Sequence, residues 1–197
     1  IVGNNSRFTC YSFQAIKQLT TVDGGAITFS NIEDVTPARK LRWFGLDKKV
    51  SRLENDIKRA GFKYGMNNVN ATIGNIQLQN IQPILNTYIE NGKYFDEQLN
   101  GISGITLIPY YKNTEPSYWL YTMKVEKRED FIKMMEDAGI TASTLHHRSD
   151  THSVFAESKC ELPALDKFYS EFIHIPCGWW VSKEDREYIV DTIKKGW

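Results

Sequence analysis

The sequence predicts a mixed α/β chain in two parts, the end of a larger α/β domain over residues 1–66 and a smaller α+β domain over residues 67–197. Three observations predict it. Short stretches of aromatic and small residues flank the Gly24-Gly25 pair. Apolar residues recur at near-helical spacing after Asn67. Strand-like and helix-like segments then alternate to the C-terminus.

In chain order, Arg7 to Phe13 reads as a strand, the polar stretch Gln14 to Asp23 leads to the glycine pair, and Ala26 to Ser30 reads as a second strand. Asn31 is a natural N-cap for a helix running towards Trp43. From Asn67, the spacing of Val69, Ile73, Ile76, Leu78, Ile81 and Leu85 predicts a helix that continues to Leu99. Pro83 should kink or break it, because proline lacks the backbone donor and its ring crowds the preceding turn. Tyr118 to Val125 reads as a strand, and Glu129 to Ala138 as an amphipathic helix closed by Gly139. Ile140 to Leu145 and Phe172 to Pro176 read as two further short strands. Ser182, with Glu184 and Asp185, opens a last helix whose Tyr188, Ile189 and Ile193 share a face.

The composition excludes several classes of function. Acidic and basic residues balance at 24 each, so no overall field points to nucleic acid or an anionic membrane. No apolar run approaches the length of a membrane span, and nothing at the start resembles a signal peptide. Cys10, Cys160 and Cys177 lack zinc-ribbon spacing; they read as reduced, buried structural thiols of a cytoplasmic protein. The sequons at Asn4 and Asn70 are of a kind that arises by chance. Ile1-Val2-Gly3 is shared with mature trypsin-like proteases, but their G-D-S-G segment and paired cysteines are missing from the sequence. With Ile1 in place of Met, the chain is expected to be processed or to be a piece of a longer one.

The chemistry concentrates in Ser12-Phe13-Gln14-Ala15-Ile16-Lys17 and the segment through Gly25. A lysine on a polar loop just beyond a strand is where a Schiff-base amine could sit, with Ser12 turned to a phosphate and the glycines allowing close backbone approach to an anion. On physics alone, a solvated lysine in the turn of a hairpin explains the same residues.

The run is similar to the S-F-H-x-x-K-x-x-T-x-G-x-G-G signature of the nucleotide-sugar aminotransferases, the DegT/StrS group of pyridoxal-phosphate enzymes. Ser12, Phe13, Lys17, Thr20, Gly24 and Gly25 match, whereas Gln14 stands for the usual His and Val22 for the usual Gly. The likeness continues through Ala38 to Gly45, through Lys63 to Gly74 with Gln77-Leu78, and into Ile175-Pro176 and Ser182-Lys183-Glu184-Asp185.

The resemblance implies the C-terminal part of a PLP-dependent transferase fold that aminates a nucleotide-linked keto-sugar from an amino acid donor, glutamate by expectation. It implies that Lys17 forms the internal aldimine with pyridoxal 5'-phosphate and that Ser12 bonds the cofactor's phosphate. It also implies a homodimer. The family's asparagine that reaches a phosphate across the dimer is here Gly65, with Asn67 or Asn68 as substitutes. In the cluster His146 to His152, one reading gives Arg148 the substrate's diphosphate and His147 the sugar; a polar surface loop is the alternative, and zinc spacing is absent. Trp179 and Trp180 read as packing or interface residues. The acid that pairs with the cofactor's ring nitrogen lies upstream of Lys17 in the family. The chain is therefore expected to be the later part of a longer enzyme, inactive alone. A non-catalytic regulator on the same scaffold is the alternative reading.

Overall fold

A computed structural model describes residues 5–197. Ile1-Val2-Gly3 and the sequon residue Asn4 lie outside the described residues. The chain divides into two compact units, 1–82 and 83–197.

In the first unit, β1 (Phe8–Ser12) pairs antiparallel with β2 (Gly25–Phe29), Phe8 opposite Phe29 and Ser12 opposite Gly25. A side chain at position 25 would place its Cβ 2.6 Å from the Tyr11 carbonyl, so the hairpin closes this tightly only with glycine. The Asn31 side chain accepts from the Glu33 amide and starts a short 3-10 turn that leads into α1 (Val35–Leu41). Helix α2 (Asn68–Gln79) opens with Asn67 accepting from the Asn70 amide. It packs on the hairpin loop: Asn70 Nδ2 donates to the Asp23 carbonyl at 2.7 Å, and a Cβ on Gly74 would stand 2.6 Å from Thr21 Cγ2.

Helix α3 (Ile81–Leu99) begins at the unit boundary. The predicted single helix is thus interrupted at Asn80, three residues before Pro83. Pro83 occupies the first turn of α3, where its missing N–H has no intrahelical partner to lose. Tyr88, Asn91, Gly92, Phe95 and Leu99 form the buried stripe of this helix.

The second unit carries a three-stranded antiparallel sheet in the order β3 (Ile105–Leu107), β4 (Tyr121–Val125), β5 (Phe172–Ile175). Tyr121, Met123 and Val125 alternate inward from β4, and all of β5 is buried. Strand β4 starts later than predicted because Tyr118 takes a left-handed φ of +47°. Helices α3, α4 (Arg128–Asp137) and α6 (Lys183–Lys194) complete the core with Phe95, Phe131, Met135 and Ile193. α4 ends in a Schellman turn: Gly139 at φ +73° donates to Glu136 and Ile140 donates to Met135, each at 2.8 Å. α6 opens with a reciprocal Ser182–Asp185 capping box.

Several expectations are corrected. Ile140 to Leu145 is not a strand; only Ser143 bridges to His174, because Ile140 is used in closing α4. On α6, Val190 is buried in place of Tyr188, whose hydroxyl lies outward and donates to the Ala138 carbonyl. Cys10 and Cys160 are exposed, so Cys177 alone is a buried thiol, with burial pushing its pKa up to about 12. Among the described residues, no helix is long and apolar enough to cross a membrane.

Candidate active site

The loop from Phe13 to Gly24 is stitched to itself. Phe13 N donates to Gly24 O at 2.9 Å, and Thr21 N donates back to Phe13 O at 2.8 Å, which extends the hairpin beyond its formal end. Thr20 Oγ1 donates to Phe13 O and accepts from Val22 N, while Thr21 Oγ1, buried, donates to Asp23 O. Lys17 N donates to Gln14 O at 2.9 Å, so the lysine sits on a closed turn and its side chain is half-buried. Threonine hydroxyls, not a run of glycines, thus fix the path of this loop.

Ser12 is the last residue of β1, and among the described residues its Oγ accepts a long bond of 3.4 Å from Gln14 N. Its O–H therefore has capacity to donate to an anion. An amine on a fixed turn and a nearby hydroxyl donor are the groups that a phosphate-bearing aldehyde cofactor needs, so the residues present fit pyridoxal 5'-phosphate. The glycine pair answers to packing: Cβ atoms there would meet Tyr11 O and the Thr21 side chain.

Gly65 stands against an indole. A Cβ there would lie 3.1 Å from Trp43 Cε3, which accounts for the missing asparagine side chain. Asn67 is occupied in capping α2; Asn68 is exposed.

His147 and Arg148 lie in the second unit, in a cleft of about 670 Å³ walled by Phe168, Tyr169 and Phe172. Arg148 is not presented to this cleft as an unpaired cation. Its Nε and Nη2 donate to the two oxygens of Asp150 at 2.9 and 2.6 Å, and Nη1 pairs with Asp166. The guanidinium holds the Asp150 carboxyl below the usual range. His147 is likewise engaged, Nε2 with Thr151 Oγ1 at 2.9 Å and Nδ1 with Tyr169 OH at 3.4 Å.

Sequence reasoning missed His174 and Thr122. His174, on β5, bonds Thr122 Oγ1 through Nδ1 at 2.9 Å and meets His146 Nδ1 through Nε2 at 3.3 Å. Burial, and secondarily His146, pushes its pKa down to about 4, so the ring is neutral at pH 7. No local signal marks these residues; strand register alone unites them. Trp179 and Trp180 are exposed and edge-on to one another, with Trp180 also edge-on to Tyr88. Among the described residues, no three His, Cys, Asp or Glu side chains are grouped to hold a metal ion.

Known proteins share this arrangement of elements. The fold superposes on the sugar aminotransferase CalS13 of Micromonospora echinospora with a TM-score of 0.93 and 34% identity, over 96% of this chain and 52% of that one, and on AtS13 of Actinomadura melliaura with a TM-score of 0.94 and 36% identity, over 100% of this chain and 53% of that one. It also matches the PLP form of the putative sugar aminotransferase Spr1654 from Streptococcus pneumoniae, with a TM-score of 0.83 and 25% identity over 96% of this chain and 51% of that one. In sequence, the chain is 25% identical to the UDP-4-amino-4,6-dideoxy-N-acetyl-beta-L-altrosamine transaminase of Campylobacter jejuni, over 98% of this chain and 53% of that protein. The chain thus spans about half the length of the relatives it matches. Residues 1–194 match the DegT/DnrJ/EryC1/StrS aminotransferase family, and the chain belongs to that family.

Proposed function

We propose that the protein carrying this chain is a pyridoxal 5'-phosphate-dependent aminotransferase that moves an amino group from an amino acid, glutamate by preference, to a nucleotide-linked keto-sugar. The observation that carries the reading is the half-buried Lys17 on a closed turn, in a loop whose path the Thr20 and Thr21 hydroxyls fix, with Ser12 upstream at the end of β1. Relatives named as sugar transaminases or sugar aminotransferases support the substrate class.

Bound there, the cofactor supplies an electron sink that acidifies the carbon bearing the transferred nitrogen. With pyridoxal 5'-phosphate bound, Lys17 Nζ would be the group that holds it and, when free, the general base that moves the proton at the reacting carbon. Ser12 would hold the cofactor's phosphate through its hydroxyl. The loop threonines limit the swing of the lysine backbone, which shortens the search for the productive amine position. In the second unit, His147 lines the substrate cleft, while Arg148 fixes the shape of its loop through Asp150 and Asp166. A cytoplasmic homodimer belongs to the same reading.

The test is absorbance of the complete gene product with pyridoxal 5'-phosphate, repeated on Lys17→Ala. A near-visible band that borohydride removes and the variant lacks is the expected result. A folded protein with no such band in excess cofactor would sink the reading and favour a regulator on the aminotransferase scaffold, a possibility to which the departures at Val22 and Gly65 point.

A further inference from the structure

The cleft of the second unit contains a line of hydrogen bonds that ends at an exposed ring. Thr122 on β4 and His174 on β5 are direct cross-strand partners, so the register of the sheet sets their contact. The backbone of His174 also exchanges two hydrogen bonds with Ser143, three residues before His146. The chain of contacts therefore has both of its links, Thr122 Oγ1 to His174 Nδ1 and His174 Nε2 to His146 Nδ1, anchored on the sheet. Trp119 packs edge-on against the His146 ring at 5.9 Å and fixes it further.

Two directions of this chain are compatible with a neutral His174. A neutral His174 has one N–H and one bare nitrogen. The Thr122 hydroxyl, whose partner among the described residues is His174, can be joined to Nδ1 in either direction; in one of them its O–H donates to Nδ1. Nε2 of His174 then bears the hydrogen and donates to Nδ1 of His146. That leaves the hydrogen of a neutral His146 on Nε2, the remaining polar atom of a ring that lines the cleft and is exposed.

The charge in the cleft selects what such a donor meets. Arg148 is matched by Asp150 and Asp166, so this trio sums to one negative charge. A diphosphate would have to displace two carboxylates to reach the guanidinium. A neutral, hydroxylated ring meets no such obstacle, and the flat walls of Phe168, Tyr169 and Phe172 suit its C–H faces.

We propose that His146 donates from Nε2 to an oxygen of the neutral sugar portion of the substrate in this cleft, with Thr122 and His174 as positioning residues that hold it in the donating tautomer. This rests on the sugar-aminotransferase reading for the identity of the ligand, while the line of contacts from Thr122 to His146 stands on the structure alone. Nitrogen-15 NMR of the histidine rings in the unliganded complete protein tests the tautomer: a hydrogen on Nε2 of His146 is expected, and one on Nδ1 overturns it.

For the ligand, UDP-N-acetylglucosamine and dTDP-glucose serve as probes, each against its bare nucleoside diphosphate. The sugar-bearing member is expected to shift the His146 ring signals while UDP or dTDP leaves them in place. Equal shifts from the bare diphosphate, or no shift from any probe, would overturn the proposal. His146→Leu, at an exposed position, and Thr122→Val should each weaken apparent affinity for the nucleotide-sugar about five- to tenfold, with the Ki of the nucleoside diphosphate unchanged. Thr122→Ser should restore it; a rise in both constants together would count against the proposal. Loss of the Lys17-dependent absorbance band, by contrast, would count against the cofactor reading and leave these ring measurements intact.

Discussion

Val22 holds a φ of +70° in the loop that carries Lys17, at the position where the family signature has glycine. Left-handed backbone crowds a Cβ against the following carbonyl, and a β-branched side chain is the worst occupant of that region. The conformation persists because Val22 N is held by Thr20 Oγ1 at 2.9 Å and the next residue's carbonyl accepts from both Thr21 Oγ1 and Asn70 Nδ2. Val22→Gly removes the strain, offset in part by the greater freedom of glycine in the unfolded chain. Stability should rise by about 1 kcal/mol. A chemical denaturation curve checks this, and an unchanged or lower midpoint would show that the loop is unstrained. Asn91 is a second residue whose worth is set by its partners. Its Nδ2 donates to Gly178 O and Val181 O, and its Oδ1 accepts from Arg186, all within the packed face of α3. Asn91→Leu leaves the Val181 carbonyl and part of a guanidinium without this partner, while Gly178 O keeps its bond from Val181 N, and should cost about 2 kcal/mol in the same assay. A cost below half of that would mean water replaces the amide.

The β4–β5 pair sets a pH dependence that belongs to the element, since it is the register of Thr122 and His174 that buries the imidazole. The unfolded ring titrates at 6.5 and the native one at about 4. Between those values the unfolded chain binds a proton that the native chain does not, so stability falls as pH drops from 6.5 towards 4, by at most about 3 kcal/mol. Asp34, Asp150, Asp185 and Glu171, all held low in the native state by their partners, lose their contributions only below the ordinary carboxylate range. Thermal melts over the window should therefore flatten in His174→Gln, whereas an unchanged slope would assign the loss elsewhere. The same pair shows what a sequence hides. β1, β2, α4 and α6 were legible because local chemistry marks their limits: Asn31, Gly139 and the Ser182–Asp185 box each satisfy backbone groups within a few residues. α5 (Pro163–Glu171) left no such stripe, since Leu165 and Phe168 remain over a third exposed. Lys17 and Ser12 were legible from an ordered motif, but the line from Thr122 through His174 to His146 joins positions 52 and 28 residues apart and exists only once β4 and β5 are paired.

At the scale of the whole chain, burial is unevenly divided. Among the described residues, every buried apolar side chain of the core, from Tyr88 to Ile193, lies in the second unit, while α1 and α2 of the first bury none of their residues. Thr21 is the buried side chain that anchors the hairpin loop of the first unit, and it does so through hydrogen bonds. Local opening costs free energy in proportion to the apolar contact it breaks, so the two units should differ in amide protection. In the 197-residue chain, hydrogen–deuterium exchange should leave β4, β5, the C-terminal half of α3 and α6 protected the longest. Amides of α2 and of the β1–β2 ladder should exchange sooner, at an opening free energy well below the global value. Glycine pairs and threonine hydroxyls can fix the path of the Lys17 loop, but hydrogen bonds net only about 1 kcal/mol each in contact with water, so they cannot match a packed core. Uniform protection across both units would show that the first unit gains its stability from cooperation with the second. The cofactor provides the complementary arm. If Lys17 and Ser12 hold it as proposed, adding pyridoxal 5'-phosphate to the complete protein should slow exchange in residues 12–25 selectively, because a ligand that binds only the closed loop stabilises it by mass action. In Lys17→Ala that selective slowing should be lost while β4 and β5 keep their rates.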